Sequence, residues 1–124
     1  MEKIDSQKKQ YKKAIEALEE VLKKEKSDII RDSAIKRFEF CFDLSWKLIK
    51  SFLQEEKGIT CNSPKDCFRL AYQNNIIEYD EFWLEITDHR NLAIHTYGEK
   101  MANDLFRKLP KILKYFQTLE KKII

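Results

Sequence analysis

Apolar positions recur along this chain at a spacing of about 3.6 residues, and the stripes they draw predict helices from end to end. From roughly Ile4 to Lys26, the residues Ile4, Tyr11, Ile15, Leu18 and Leu22 fall on one stripe among lysines and glutamates, as on a surface helix with one buried face. After a break at Ser27-Asp28, a segment from about Ile30 to Lys57 draws two stripes. Ile35, Phe38, Phe42, Trp46, Ile49 and Leu53 form one; Phe40, Leu44, Leu48 and Phe52, with Cys41, form the other. A helix apolar on two faces needs two partners, so the second face predicts a homodimer seam. Lys57-Gly58 closes that helix, and Ser63-Pro64 opens a short one that runs to Asn74-Asn75. Asp80 caps a fourth, from about Glu81 to Tyr97, ended by Gly98. The last runs from about Lys100 to Lys122, with Pro110 inside it expected to kink or split it. Long amphipathic helices on short links make an all-α, up-and-down bundle of four or five helices, a single domain over residues 1–124.

Composition narrows the chemistry. With 2 Gly and 2 Pro in 124 residues there is no glycine-rich phosphate loop, and no GxGxxG, GxxxxGK[ST] or GxSxG is present. The net charge of +3 permits contact with nucleic acid without arguing for it. Cys41, Cys61 and Cys67 form no CxxC pair, and their odd number reads as reduced thiols. The opening Met1-Glu2-Lys3-Ile4-Asp5 lacks the apolar run of a signal peptide, and no stretch of about 18 apolar residues occurs. The expectation is a cytoplasmic protein with no membrane contact. No His, Cys or carboxylate cluster has metal spacing, so neither a metal nor a cofactor is expected.

One helix departs from plain packing. In the fourth segment the apolar stripe runs Tyr79, Phe82, Trp83, Ile86, then Arg90, then Ala93 and Tyr97. A guanidinium where a packing helix would carry Leu must pair with a carboxylate, reach a dimer cleft or meet an anionic ligand. Glu39 and Asp43 are the nearest carboxylates by register, which does not choose between them. Asn91 and His95 lie one turn apart on a neighbouring face. Arg37 falls on the second face of its helix, where a cleft role competes with a side chain that only packs its stem. Trp46 and Trp83 read as core, and His89 as a solvent-facing or minor group. On spacing alone, a snorkelling arginine and a surface histidine remain the plainer reading of Arg90 and His95, and a core aromatic that of Tyr97.

Arg90-Asn91-Leu92-Ala93-Ile94-His95 matches an R-polar-x3-H pattern, and His95-Thr96-Tyr97 extends it to R-x4-H-x-Y. The second helix carries Arg31-Asp32, Ile35, Arg37-Phe38-Glu39-Phe40 and Asp43-Leu44-Ser45-Trp46-Lys47, and Ser63-Pro64-Lys65 opens the third. On these residues, nearly the whole chain resembles the nucleotidyltransferase substrate-binding subgroup of the HEPN superfamily. The resemblance implies a metal-independent endoribonuclease toxin, with the arginine and histidine of two protomers meeting across a dimer cleft built by the second and motif helices. Arg90 would then polarise the scissile phosphate, and His95 would activate the ribose 2′-hydroxyl or protonate the leaving oxygen. Asn91 would orient His95 or hold a phosphate oxygen, Arg37 would contact RNA or a nucleotide, and Glu39 or Asp43 would support Arg90. The implied partner is a separately encoded minimal nucleotidyltransferase (an MNT antitoxin) that transfers AMP onto Tyr97. The rival function is a non-catalytic subunit presenting a nucleotide or acceptor to such a partner, and a plain scaffold bundle is a third.

Overall fold

The computed structural model describes residues 2–123, so Met1 and Ile124, the two ends of the expected domain, lie outside the described residues. Five helices follow one another: α1 Glu2–Leu22, α2 Asp28–Lys57, α3 Pro64–Gln73, α4 Phe82–His95 and α5 Glu99–Ile123. Local chemistry sets the boundaries. Ser27 accepts the Ile30 N–H and starts α2, two residues earlier than the apolar pattern alone suggests. Gly58 ends it in the left-handed region at φ 65°, donating its N–H back to Gln54. Ser63 caps α3 through the Asp66 N–H, with Pro64 in the first turn. α1 stops at Leu22 rather than Lys26, because Lys23-Lys24-Glu25-Lys26 is all exposed and has no apolar side chain to bury. α5 runs unbroken through Pro110, so the expected split does not occur. Pro110 is on the exposed face, where water can take the Phe106 carbonyl that the missing N–H leaves without a helical donor.

α2 is the axle of the bundle. It touches α1, α3, α4 and α5, whereas α1 touches only α2 and α5. This changes the meaning of the two-faced pattern. Cys41 and Leu48 of the second stripe are buried within the chain, Leu44 and Phe52 are half-buried against the core, and only Phe40 is left 53% exposed. The second face therefore serves α1 first, and by itself does not require a second protomer. The core is aromatic at its centre: Phe38 stacks on Phe116 at 6.2 Å between ring centres, and Phe68 stacks on Trp83 at 4.6 Å. The fully buried Tyr11 donates its hydroxyl to the Phe116 carbonyl at 2.9 Å, tying α1 to α5. Trp46 is half-buried against this core, so both tryptophans pack rather than stand out as stacking platforms.

The cysteines overturn the all-thiol reading. Cys61 and Cys67 form a disulfide with Cα atoms 5.1 Å apart, and only Cys41 is free. The capped turn at Ser63 bends the chain back so that the two half-cystines meet across a C-x5-C spacing that a search for CxxC passes over. Burial pushes the Cys41 thiol up to about 12. No helix among the described residues is long and apolar enough to cross a membrane.

Candidate active site on the α2–α4 seam

α4 starts where Asp80 accepts the Phe82 N–H at 2.9 Å, and it packs Phe82, Trp83, Ile86 and Ala93 inward. Arg90 follows on that buried side, 21% exposed. Its Nη2 donates to Asp43 Oδ1 of α2 at 2.7 Å, and its Nη1 to Asn91 Oδ1 at 3.1 Å. The guanidinium also sits 5.3 Å from the centre of the Phe42 ring. The structure thus chooses Asp43 over Glu39, which is half-buried one turn earlier on α2. Arg90 Nε is enclosed without a hydrogen-bond partner. The clamp is strong enough to hold the arginine, and its acceptor is a carboxylate, an anion that a phosphate can displace from a guanidinium.

His95 is exposed at the last turn of α4. Five residues at about 100° each carry it about 140° round the axis from Arg90, so the two side chains leave α4 in different directions. Asn91, whose carbonyl is committed to Arg90, links the pair by position rather than by bonding to His95. Ile94 lies on the Arg90 side of α4, 50% exposed.

Two expectations change here. Arg37 is not part of this site: its Nη1 donates to the Ala17 carbonyl at 2.7 Å, on α1, a helix that does not touch α4. From Asp43, six residues at about 100° turn Arg37 to the other side of α2, which accounts for the separation. Tyr97 does not continue the α4 stripe, because the helix stops at His95 and Thr96 takes φ −142° and ψ 77°. The tyrosine is 50% exposed, which removes the core-aromatic reading, and its hydroxyl donates to Asp32 near the start of α2. Partial burial and the Asp32 carboxylate together push the phenol up to about 12. The hydrogen bonds from Tyr97 and Arg31 hold Asp32 below the usual carboxylate range. Asp32 is the residue that spacing passes over; its only sequence signal is its place beside Arg31 in the second-helix segment.

His89 lies on another face of α4, half-buried with its Nε2 3.4 Å from Lys108 Nζ, and burial and that ammonium lower its affinity for a proton. Among the described residues, no group of three or more His, Cys, Asp or Glu is gathered to hold a metal ion.

Residues 6–123 match the family described as nucleotidyltransferase substrate binding protein like. A probable ribonuclease HepT of Haemophilus influenzae is 30% identical over 90 residues, covering 69% of this chain and 62% of that protein. The matched part of this chain thus spans less than two thirds of that relative's length. A crystal structure of a protein from Thermus thermophilus superposes with a TM-score of 0.78 at 34% identity, over 91% of this chain and 94% of that one.

Proposed function

This chain belongs to the nucleotidyltransferase substrate-binding family of the HEPN superfamily, and on that premise we propose that it is a metal-independent endoribonuclease of toxin type, controlled by a minimal nucleotidyltransferase. The observation that carries this reading is Arg90, a cation set into an apolar stripe and clamped by Asp43, Asn91 and the Phe42 ring on the helix that also ends in the exposed His95. RNA enters with a phosphate that takes over the Arg90 fork from Asp43. The His95 imidazole, which can both accept and donate a proton, draws the proton from the 2′-hydroxyl or returns one to the leaving 5′-oxygen. Because Arg90 and His95 diverge on one helix, the proposal pairs two copies across the α2–α4 seam, with Ile94, 50% exposed on the Arg90 side of α4, as apolar surface. Tyr97 is the proposed AMP acceptor; a nucleotide there adds bulk and negative charge near the entry to the seam. The setting proposed is the cytoplasm.

Growth on expression alone is the direct test. The native chain should arrest a bacterial culture, Arg90→Ala and His95→Ala should each restore growth at equal soluble yield, and purified protein should cut RNA with chelator present. Folded protein that neither arrests growth nor cuts RNA would favour the non-catalytic substrate-binding subunit, which the family's own description suggests.

A further inference from the structure

Arg31 is a charged side chain only 6% exposed, and the cleavage chemistry has no use for it. Its Nε donates to Asp32 Oδ1 at 3.0 Å, its Nη1 to Asn103 Oδ1 of α5 at 3.2 Å, and Asp28 lies within 3.5 Å. A guanidinium with so little exposed surface is retained only where its partners are well placed. Here the partners fix one carboxylate. Asp32 Oδ1, the atom that Arg31 holds, is also the acceptor for the Tyr97 hydroxyl. Tyr97 sits in the link between α4 and α5, where no helix orients it, so this hydrogen bond sets where its reactive oxygen lies.

We propose that Asp32 presents the Tyr97 hydroxyl to a nucleoside triphosphate and accepts its proton during transfer, with Arg31 as the positioning residue that holds Asp32 in place. The proposal rests on the reading of Tyr97 as the nucleotide acceptor. Tyr97 Oη attacks the α-phosphorus of the nucleotide delivered by the transferase. The new Oη–P bond forms as the bond from that phosphorus to the β-phosphate oxygen breaks, and pyrophosphate leaves with the electron pair. The phenolic proton passes to Asp32 Oδ1. A phenol pushed up to about 12 is almost wholly protonated at neutral pH, so its proton has to leave during the attack, and the Asp32 carboxylate is already in contact with it. The groups in contact with Asp32 are Arg31 from α2 and Tyr97 from the link, while Asp28 of α2 and the uncharged Asn103 of α5 reach it only through Arg31.

The test incubates the full chain with its nucleotidyltransferase and ATP and follows intact mass with time across about pH 6 to 9. Native protein should gain AMP at a rate nearly independent of pH. Asp32→Asn should be slowed about 100-fold at neutral pH, with a residual rate that climbs with pH as hydroxide replaces the missing carboxylate. Asp32→Glu should recover part of the rate and the flat profile, and Arg31→Lys should slow transfer without introducing the slope. An Asp32→Asn chain that is folded and modified at the native rate overturns the proposal. No mass gain in the native chain, or a gain that persists in Tyr97→Phe, overturns the acceptor reading and the proposal with it. A measurement without the partner stands beside these: tyrosinate absorbance, taken as the difference from Tyr97→Phe, should show the phenol titrating closer to the ordinary tyrosine value in Asp32→Asn. An unchanged titration would show that the carboxylate does not act on this hydroxyl.

Discussion

α2 meets an arginine on each of two sides, and the two are held in opposite ways. Toward α1, its own Arg37 reaches the Ala17 carbonyl beside a layer built from Tyr11, Ile15, Leu18 and Val21. A main-chain carbonyl inside a helix is a fixed acceptor, so that contact ties two helices together. Toward α4, Asp43 receives Arg90, which is partly exposed. A side-chain carboxylate can be exchanged for another anion, and a surface-connected guanidinium can keep its geometry while its partner changes. The residue type is the same on both sides, so the acceptor separates structure from chemistry.

The largest expected effect strikes the core that both sides of α2 share. Phe116 is fully buried and packs against Tyr11, Phe38 and Trp83. Phe116→Ala should lower unfolding free energy by about 3–5 kcal/mol, read from the midpoint of a urea transition. A cost below about 1 kcal/mol would mean that α1 and α5 do not share one core with α2.

The contrast itself is broken or sharpened by treating the two arginines alike. Arg37→Met should cost about 1 kcal/mol, since it removes the part-buried hydrogen bond between α2 and α1, while RNA cleavage per folded molecule stays at the native rate. Arg90→Met should reverse the pattern, with stability within about 1 kcal/mol of native and cleavage reduced about 100-fold or more. If Arg37→Met lost cleavage, the separation of the two sides of α2 would be wrong.

Much of this frame is legible in the chain because the signals are local. Ser27, Gly58 and Ser63 act through hydrogen bonds within a few residues, so composition and position suffice to place the helix ends near them. Arg90 stands out because a cation in an apolar stripe violates a periodic pattern. What the chain does not show depends on which helices become neighbours. Glu39 and Asp43 are one turn apart on α2, and only the docking of α4 separates them. For Arg37 the pattern leaves a cleft role and simple packing open, and only the docking of α1 brings it to the Ala17 carbonyl. Periodicity carries Tyr97 along α4, but the helix ends at His95, and Asp32, far away in sequence, takes the hydroxyl. The Cys61–Cys67 bond escapes for the same reason: it needs the turn at Ser63, not a spacing rule.

The smallest expected effect probes the far end of α4, where a second carboxylate joins a link to a helix. Asp80 accepts the Phe82 N–H through Oδ1 and the Tyr115 hydroxyl through Oδ2, and these bonds, the Tyr115 one foremost, lower its pKa from the usual 3.8. A carboxylate lowered on folding contributes stability that is fully present above its unfolded value and is lost as pH falls through the folded one. Asp80→Asn has no proton to take up, so its melting temperature should lie below native by a constant amount above about pH 5, and that gap should close below about pH 4. A gap unchanged into acid would mean that the Tyr115 and Phe82 contacts do not depend on the charge of Asp80. The start of α4 would then be held at this end by packing rather than by the charge of Asp80.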